Sequence, residues 1–151
     1  MDSFLCYSMH RCKNIHIVLG DDMRDLVKVY KVLSDESRLR VLNLILEREC
    51  CVCEVIQTLD ISQSKASRIL SALYDVGFLK LRKDGLWSLY SFDWEGMNAH
   101  LKDILEATRR AFEGNKQMKM DRERLRTTER VGPSCVNKVH QTRLSPQNSP
   151  S

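Results

Sequence analysis

An Asp-Gly pair, Asp84-Gly85, lies between two short runs rich in apolar and aromatic residues, 78–82 and 86–92. An Asp-Gly pair between two such runs strongly favours a β-hairpin, here with its turn around residues 83–85. Elsewhere between residues 24 and 112 the apolar residues recur at helical spacing, and all three prolines lie in the last 19 residues. The sequence therefore predicts a mainly α-helical domain that carries one small hairpin.

Two short helical segments precede the hairpin. The first ends at Asp60-Ile61, and the second begins at Ser62, a residue suited to an N-cap, and stops at Gly77. Two short helices joined by a turn of three or four residues form a helix-turn-helix. The hairpin that follows is therefore interpreted as the wing of a winged helix-turn-helix.

The last helical segment, 94–112, has one strongly apolar face. That face holds Met97, Leu101, Ile104, Leu105, Thr108 and Phe112. Because other segments already supply a core for a compact winged helix, this face and the first helix, 24–33, are expected to pack against a second subunit. The predicted fold class is a winged helix-turn-helix, mainly α with a small β-hairpin, that forms a homodimer through its first and last helices.

The net charge of +4 is unevenly distributed over the 151 residues. Residues 1–113 carry 16 Lys and Arg against 17 Asp and Glu, whereas residues 114–151 carry 8 against 3. We expect three regions: an N-terminal arm over 1–22, a DNA-binding and dimerisation domain over 23–113, and a basic, largely disordered tail over 114–151. Met23 is an alternative translation start, so the arm need not be native.

Several classes of protein are disfavoured by what the sequence lacks. No apolar run approaches the roughly 18 residues of a membrane span, and the start has no secretory signal pattern, so we expect a cytoplasmic protein without a membrane partner. No paired carboxylates, Ser/His/Asp set or glycine-rich phosphate loop can be identified. An enzyme is therefore not expected.

The second helix of a helix-turn-helix enters the major groove, and its early residues reach bases or phosphates. The expected contacts to double-stranded DNA are Gln63, Ser64, Lys65, Ser67, Arg68, Arg82 and Lys83. The amide and hydroxyl groups suit base edges, the cations of the helix suit phosphate or guanine, and the two wing cations suit the flanking backbone or minor groove.

Positions 50–53 hold three of the six cysteines, Cys50, Cys51 and Cys53. Thiolates bind soft ions, and a thiol at the start of a helix has its pKa lowered by the helix dipole. Residues i and i+2 of a regular helix point about 200° apart, so Cys51 and Cys53 could share an ion only if the turn is distorted. Residues i and i+3 share a face, so geometry leaves the choice among the cysteine pairs open.

An ion bound by these cysteines would pull on the first helix of the helix-turn-helix, which gives a direct route from ion to DNA release. In the alternative interpretation, one or two of the cysteines fill the core as small apolar residues.

The segment 49–55, Glu-Cys-Cys-Val-Cys-Glu-Val, resembles the Glu-Leu-Cys-Val-Cys-Asp-Leu box in the arsenic-sensing branch of the ArsR/SmtB family of metal-responsive winged-helix repressors. The resemblance covers about residues 24–112. It includes the Leu-Ser-Asp-Glu-Ser-Arg-Leu-Arg stretch at 33–40, the recognition segment 62–68, and Gly85, Trp87 and Tyr90 of the wing.

The resemblance implies a repressor that binds operator DNA when metal-free and dissociates when trivalent arsenic or antimony binds Cys51 and Cys53, without an organic cofactor. Arsenic-sensing relatives often carry a third cysteine where this chain has Ile56. Cys50, which replaces the usual leucine, is the expected substitute ligand.

Two alternatives use the same fold with another signal. Cadmium- and lead-sensing relatives add two cysteines from an N-terminal arm to the same pair, and Cys6 and Cys12 could play that part here. A thiol redox switch could also release DNA without any metal. A winged-helix module that binds another protein instead of DNA is the remaining hypothesis.

Overall fold

The computed structural model describes residues 23–130, so the arm with Cys6 and Cys12 and the segment from residue 131 onward lie outside the described residues. In chain order the elements are α1 Met23–Leu33, α2 Glu36–Glu47, α3 Val52–Leu59, α4 Gln63–Asp75, β1 Leu79–Asp84, β2 Trp87–Phe92, α5 Ala99–Phe112 and α6 Lys116–Arg126.

Short polar side chains begin several of the helices. The Asp35 carboxylate accepts a hydrogen bond from the Arg38 N–H at 2.9 Å at the start of α2. The Ser62 hydroxyl accepts one from the Lys65 N–H at 3.1 Å at the start of α4. These bonds satisfy N–H groups that have no partner within the helix, which is why such residues mark helix starts in the sequence.

The helix-turn-helix is formed by α3 and α4, as predicted. Helix α3 ends at Leu59, and the next residue, Asp60, adopts the left-handed conformation with φ 55°. Ser62 then caps α4 two residues later. This turn places the start of α4 at the surface while Ala66, Ile69 and Leu70 are buried.

The wing is a two-stranded antiparallel sheet whose register runs from Leu79 opposite Phe92 to Asp84 opposite Trp87. The connecting residues are therefore 85 and 86, slightly later than the turn that the sequence suggested. Gly85 has a φ of +57°, which glycine adopts without the steric cost of a side chain. The predicted hairpin is confirmed with this small shift.

One main core joins all of these elements. Its largest fully buried side chains include Leu42, Leu44, Leu70, Leu73, Phe78, Leu101 and Leu105. Burying each such side chain contributes about 1.5–3 kcal/mol relative to leaving it in water. Helix α2 lies at the centre of this core, since it contacts all five of the other described helices and strand β2.

The expectation that the chain beyond residue 114 is largely disordered is wrong for α6. This helix packs on α2 and α3 and buries Met118, Asp121 and Leu125, which are spaced three and four residues apart on one face. Asp121 is fully buried and forms two hydrogen bonds with Arg40, at 2.7 and 2.8 Å. This buried face could not be recognised from the sequence, because one of its three residues is an ion-paired carboxylate rather than an apolar side chain.

Within residues 23–130, no helix is long and apolar enough to cross a membrane.

Candidate thiol site and DNA-reading surface

Cys51 is the N-cap of α3, and its backbone is extended, with φ −88° and ψ 169°. Cys51 therefore lies just outside the helix, whereas Cys53 is the second helical residue. This change of direction brings the two side chains together although α3 itself is regular. The structure joins their sulfur atoms as a disulfide, with the Cα atoms 5.5 Å apart. The distortion expected from an i and i+2 pair is thus supplied by the helix start. We call Cys51 and Cys53 the thiol pair.

The wing covers the thiol pair. Both cysteines are 3% exposed and form a small cluster with Leu89 and Trp87 of β2. The Trp87 indole Nε1 is buried there and makes no hydrogen bond in the described structure. A change of size or charge at the pair must therefore be felt by the strand that carries the wing.

Glu54 fixes the first turn of α3. Its Oε2 atom accepts a hydrogen bond from the Cys51 N–H at 2.8 Å, which is half of a capping box. The Glu54 side chain is 1% exposed, and its carboxylate is paired with the guanidinium groups of Arg48 and Arg130. A buried carboxylate needs such partners to offset the cost of leaving water.

Cys50 does not join the thiol pair. It forms a β-bridge with Tyr90, and its side chain points into the main core, where its Sγ lies 3.3 Å from the Arg48 carbonyl oxygen. Burial, together with the negative charge of Glu54, raises the pKa of the Cys50 thiol to about 12. Cys50 therefore packs in a different cluster from the thiol pair in this structure, and its part as a third ligand stays a prediction.

The described residues offer two thiols rather than a complete ion site. Within residues 23–130, no three side chains of His, Cys, Asp or Glu are grouped so that they could hold a metal ion. The thiol pair fits a soft ion by the chemistry of its donors.

A second contact links the cysteine stretch to the wing. The Arg82 guanidinium donates to both carboxylate oxygens of Glu49, at 2.9 and 2.5 Å, and also lies 3.6 Å from Asp84. The hydrogen bond from Arg82 lowers the pKa of Glu49. Arg82, expected to contact DNA, is thus held by the residue that precedes the cysteines.

The other predicted DNA contacts lie at the surface. Gln63, Ser64, Lys65 and Arg68 are exposed at the start of α4, and Ser67 is half-buried. In the wing, Lys83 is exposed and its Nζ donates to the Ser88 hydroxyl at 2.5 Å. The structure therefore presents polar and basic groups of α4 and the wing to solvent, as the interpretation requires.

Sequence reasoning missed the parts played by Glu54, Arg130 and Trp87. A capping-box signal for Glu54 was present, because a glutamate stands three residues after the N-cap position. It was hidden because cysteine is not among the usual N-cap residues. Arg130 lies 76 residues from Glu54, and no local pattern reveals such a contact.

Taken together, the helix-turn-helix, the hairpin beside it and the exposed polar start of α4 define a winged helix-turn-helix regulator, a class of protein that binds DNA. The model of the arsR family of bacterial regulatory proteins matches residues 35–85. The chain is also 38% identical over 95 residues to the arsenic resistance transcriptional regulator ArsR1 of Pseudomonas putida, covering 58% of this chain and 74% of that protein. The chain belongs to the arsR family, which is a family of regulators rather than enzymes.

Two further similar proteins have names that do not mention arsenic. A cadmium resistance transcriptional regulatory protein CadC homolog of Staphylococcus aureus is 39% identical over 83 residues, covering 54% of this chain and 65% of that protein. The structure of reduced HlyU from Vibrio cholerae is 27% identical, with a TM-score of 0.50, and covers 59% of this chain and 90% of that one. The matched region thus leaves about a third of the cadmium relative and a quarter of the arsenic relative without a counterpart.

Proposed function

We propose that the protein is a homodimeric, cytoplasmic repressor that binds operator DNA when metal-free and dissociates when trivalent arsenic or antimony binds the thiol pair. The observation that carries this proposal is the meeting of Cys51 and Cys53 at the first turn of α3. That helix packs directly against α4, which presents the predicted DNA contacts. The named arsenic relative supports the choice of ion.

Bound metalloid would act on two elements at once. An ion held by the thiol pair changes the distance between the N-cap and the second residue of α3, and so the direction of that helix. It also adds volume beneath Trp87 and Leu89, which are packed on the pair. Because cores are close-packed, neither change can be absorbed locally. Both alter how α4 and the wing face DNA.

The DNA contacts are assigned by chemistry and exposure. Gln63 and Ser64 would read base edges, and Ser67 would contact bases or phosphate. Lys65 and Arg68 would bind phosphate or guanine. The wing cations Arg82 and Lys83 would contact the flanking backbone or minor groove. To bind a phosphate, Arg82 would have to break its ion pair with Glu49.

The homodimer is supported by apolar side chains left at the surface of α1. Val27 is 41% exposed and Tyr30 is 52% exposed, although both belong to an amphipathic helix. Exposed apolar groups that lie together mark interaction surfaces. A second subunit packed on α1 and α5 would cover them, and two copies of α4 would then address the two halves of a symmetric operator.

A cadmium- or lead-responsive repressor is the first alternative. It would combine the thiol pair with Cys6 and Cys12, which lie outside the described residues. The cadmium relative supports it, at an identity similar to that of the arsenic relative.

A thiol redox switch is the second alternative, and the Cys51–Cys53 disulfide favours it. In that case an oxidant would close the disulfide and reduction would open it, with no ion involved. The two thiols release two electrons and two protons to the oxidant, so peroxide would be reduced to water.

One experiment separates these possibilities. The reduced protein is bound to DNA from upstream of its own gene in a gel-shift assay and challenged with arsenite, cadmium or peroxide. We expect release by arsenite. Release by cadmium alone supports the first alternative and release by peroxide alone the second. If the protein shifts no DNA at any salt concentration, the repressor proposal is wrong.

A further inference from the structure

The indole N–H of Trp87 is a buried donor that has no acceptor. Its Nε1 atom is shielded from solvent and makes no hydrogen bond within the part of the chain that the structure describes. Proteins rarely leave such a group unpaired, because a donor that has left water without gaining a new partner is costly. The unpaired donor is explained if another state of the protein supplies its acceptor.

The position of Trp87 on the wing shows where that acceptor has to appear. Trp87 and Leu89 are two positions apart on β2, so their side chains lie on the same face of the strand. Leu89 is fully buried in the cluster that contains Cys51 and Cys53, and Trp87 packs on this cluster. Among the described residues that pack on the main core, Trp87 is not included. The covered side of the half-buried ring therefore faces the thiol pair and Leu89, and Nε1 belongs to that covered side.

The chemistry of these neighbours limits what the acceptor can be. The side chain of Leu89 has no acceptor atom, and a cysteine sulfur is only a weak acceptor. Neither of them therefore satisfies the indole N–H in the present structure. What can change at this place is the group that the two sulfur atoms bind.

Trivalent arsenic brings an oxygen acceptor when two thiols hold it. Arsenous acid, As(OH)₃, reacts with the reduced thiols of Cys51 and Cys53. Two As–S bonds form, two As–O bonds break, and each departing hydroxide leaves as water with the proton of one thiol. Arsenic stays trivalent throughout, so no oxidant or reductant is needed. It keeps one hydroxyl group, whose oxygen carries lone pairs.

We propose that the Trp87 N–H donates a hydrogen bond to the hydroxyl oxygen of the arsenic that the thiol pair holds. Trp87 is then a specificity-determining residue for inorganic arsenite, and the bound metalloid is linked directly to β2 of the wing. The inference rests on the proposed function of the thiol pair. A trivalent arsenical that carries a methyl group in place of this hydroxyl would gain nothing from the donor.

Binding measurements with two arsenicals on the full-length protein, reduced with a phosphine, test this role. Trp87→Phe keeps an aromatic ring beside the thiol pair and removes only the donor. We expect it to bind arsenite about 5- to 10-fold more weakly than the unaltered protein, which is the usual effect of losing one hydrogen bond. Methylarsonous acid forms the same two As–S bonds but presents a methyl group of similar size, so its affinity should not change.

Three results of these titrations would overturn the proposal. Unchanged arsenite affinity in Trp87→Phe would show that the donor is not used. An equal loss of affinity for both arsenicals would show that the ring contributes packing only. Failure of methylarsonous acid to bind the unaltered protein would show that two thiols do not suffice to hold arsenic.

Trp94→Phe is the matched control, because Trp94 is the only other tryptophan of the chain. Its side chain is 46% exposed, and its ring lies 5.5 Å from that of Phe92, outside the cluster of the thiol pair. This variant should bind both arsenicals as the unaltered protein does. A loss of arsenite affinity as large as that of Trp87→Phe would contradict a specific role for Trp87.

Nitrogen-15 NMR observes the donor itself and does not depend on how Trp87→Phe folds. The reduced Trp94→Phe protein has one indole N–H signal, that of Trp87. We expect this signal to move downfield and to exchange more slowly with water when arsenite is added, and to stay in place with methylarsonous acid. No movement with arsenite, or the same movement with both arsenicals, would overturn the hydrogen bond.

Arsenic X-ray absorption separates this inference from the proposed function. We expect two sulfur neighbours and one oxygen neighbour per arsenic in the unaltered protein, and three sulfurs would leave no oxygen for Trp87 to bind. If the variant Cys51→Ser, Cys53→Ser binds arsenite as tightly as the unaltered protein, the proposed function fails. If the thiol pair binds arsenite and Trp87→Phe has no effect, only the role of Trp87 is wrong.

Discussion

Cys50 and Tyr90 exchange two backbone hydrogen bonds, from Cys50 N–H to the Tyr90 carbonyl at 3.0 Å and from Tyr90 N–H to the Cys50 carbonyl at 2.8 Å. The cysteine stretch is therefore attached to β2 of the wing by an isolated β-bridge. Cys51, one of the two proposed ion ligands, is the residue that follows this attachment. The site can move the wing through the backbone as well as the recognition helix through α3.

Glu49 and Arg82 should compete with DNA for one guanidinium. Glu49→Gln removes the carboxylate that holds Arg82, so we expect tighter DNA binding, by no more than about fivefold because exposed ion pairs are weak. Arg82→Gln should weaken binding and reduce its salt dependence by about one unit of slope. Fluorescence anisotropy over a range of salt concentrations measures both. Equal affinity of Glu49→Gln and the unaltered protein would show that Arg82 does not reach DNA.

The contact between Glu49 and Arg82 also leads us to predict how stability changes in acid. Arg82 holds the pKa of Glu49 below its ordinary value of 4.5, so the folded state binds this proton less readily than the unfolded chain. The resulting stability is present above pH 4.5 and is lost as the pH falls through the lowered pKa. Urea unfolding of the unaltered protein and Glu49→Gln should thus differ at pH 6 and converge towards pH 3. A difference that grows in acid would contradict this sign.

Cys50 should be dispensable for the response. Cys50→Ala removes a buried thiol and is expected to cost about 1 kcal/mol of unfolding free energy, since it leaves a small cavity. Arsenite should still release DNA from this variant. Measuring unfolding in urea and release in a gel shift gives both quantities. Loss of the arsenite response in a stably folded Cys50→Ala protein would restore Cys50 as a ligand.

Helix α6 should depend on the Arg40–Asp121 pair. Asp121→Ala leaves the partly buried guanidinium of Arg40 without its partner, and we expect a loss of about 2 kcal/mol. Hydrogen exchange should then quicken in 116–126 before the rest of the domain. Arg126 lies on α6 as well, and its pair with Glu47 of α2 is exposed. Arg126→Gln therefore serves as the control, with little change in stability expected. Equal effects of the two changes would show that α6 is not held by Asp121.

Local signals in the sequence predicted the helix-turn-helix and the hairpin. Ser62 marks the start of α4 by a bond to a residue three positions away, and Asp84-Gly85 marks the turn between adjacent strands. Such features depend on neighbours in sequence, so they can be read from it. The spacing of the cysteines left the choice among their pairs open, and the structure brings Cys51 and Cys53 together because α3 starts between them.

Contacts between distant residues explain what the sequence did not reveal. Cys50 turns away from the other cysteines because its backbone pairs with Tyr90, 40 positions later. Helix α6 is joined to α2 by the pair of Asp121 and Arg40, which lie 81 positions apart. A charged helix that is held by a buried ion pair lacks the continuous apolar stripe from which a packed helix is predicted.

The central claim is tested most directly by titrating the reduced protein–DNA complex with arsenite, comparing the unaltered protein with the variant Cys51→Ser, Cys53→Ser. Serine keeps the size of the side chains but cannot form As–S bonds. The two proteins should bind DNA with similar affinity, and arsenite should release only the unaltered one. Release of the double variant at the same arsenite concentration would contradict the claim that the thiol pair is the sensor.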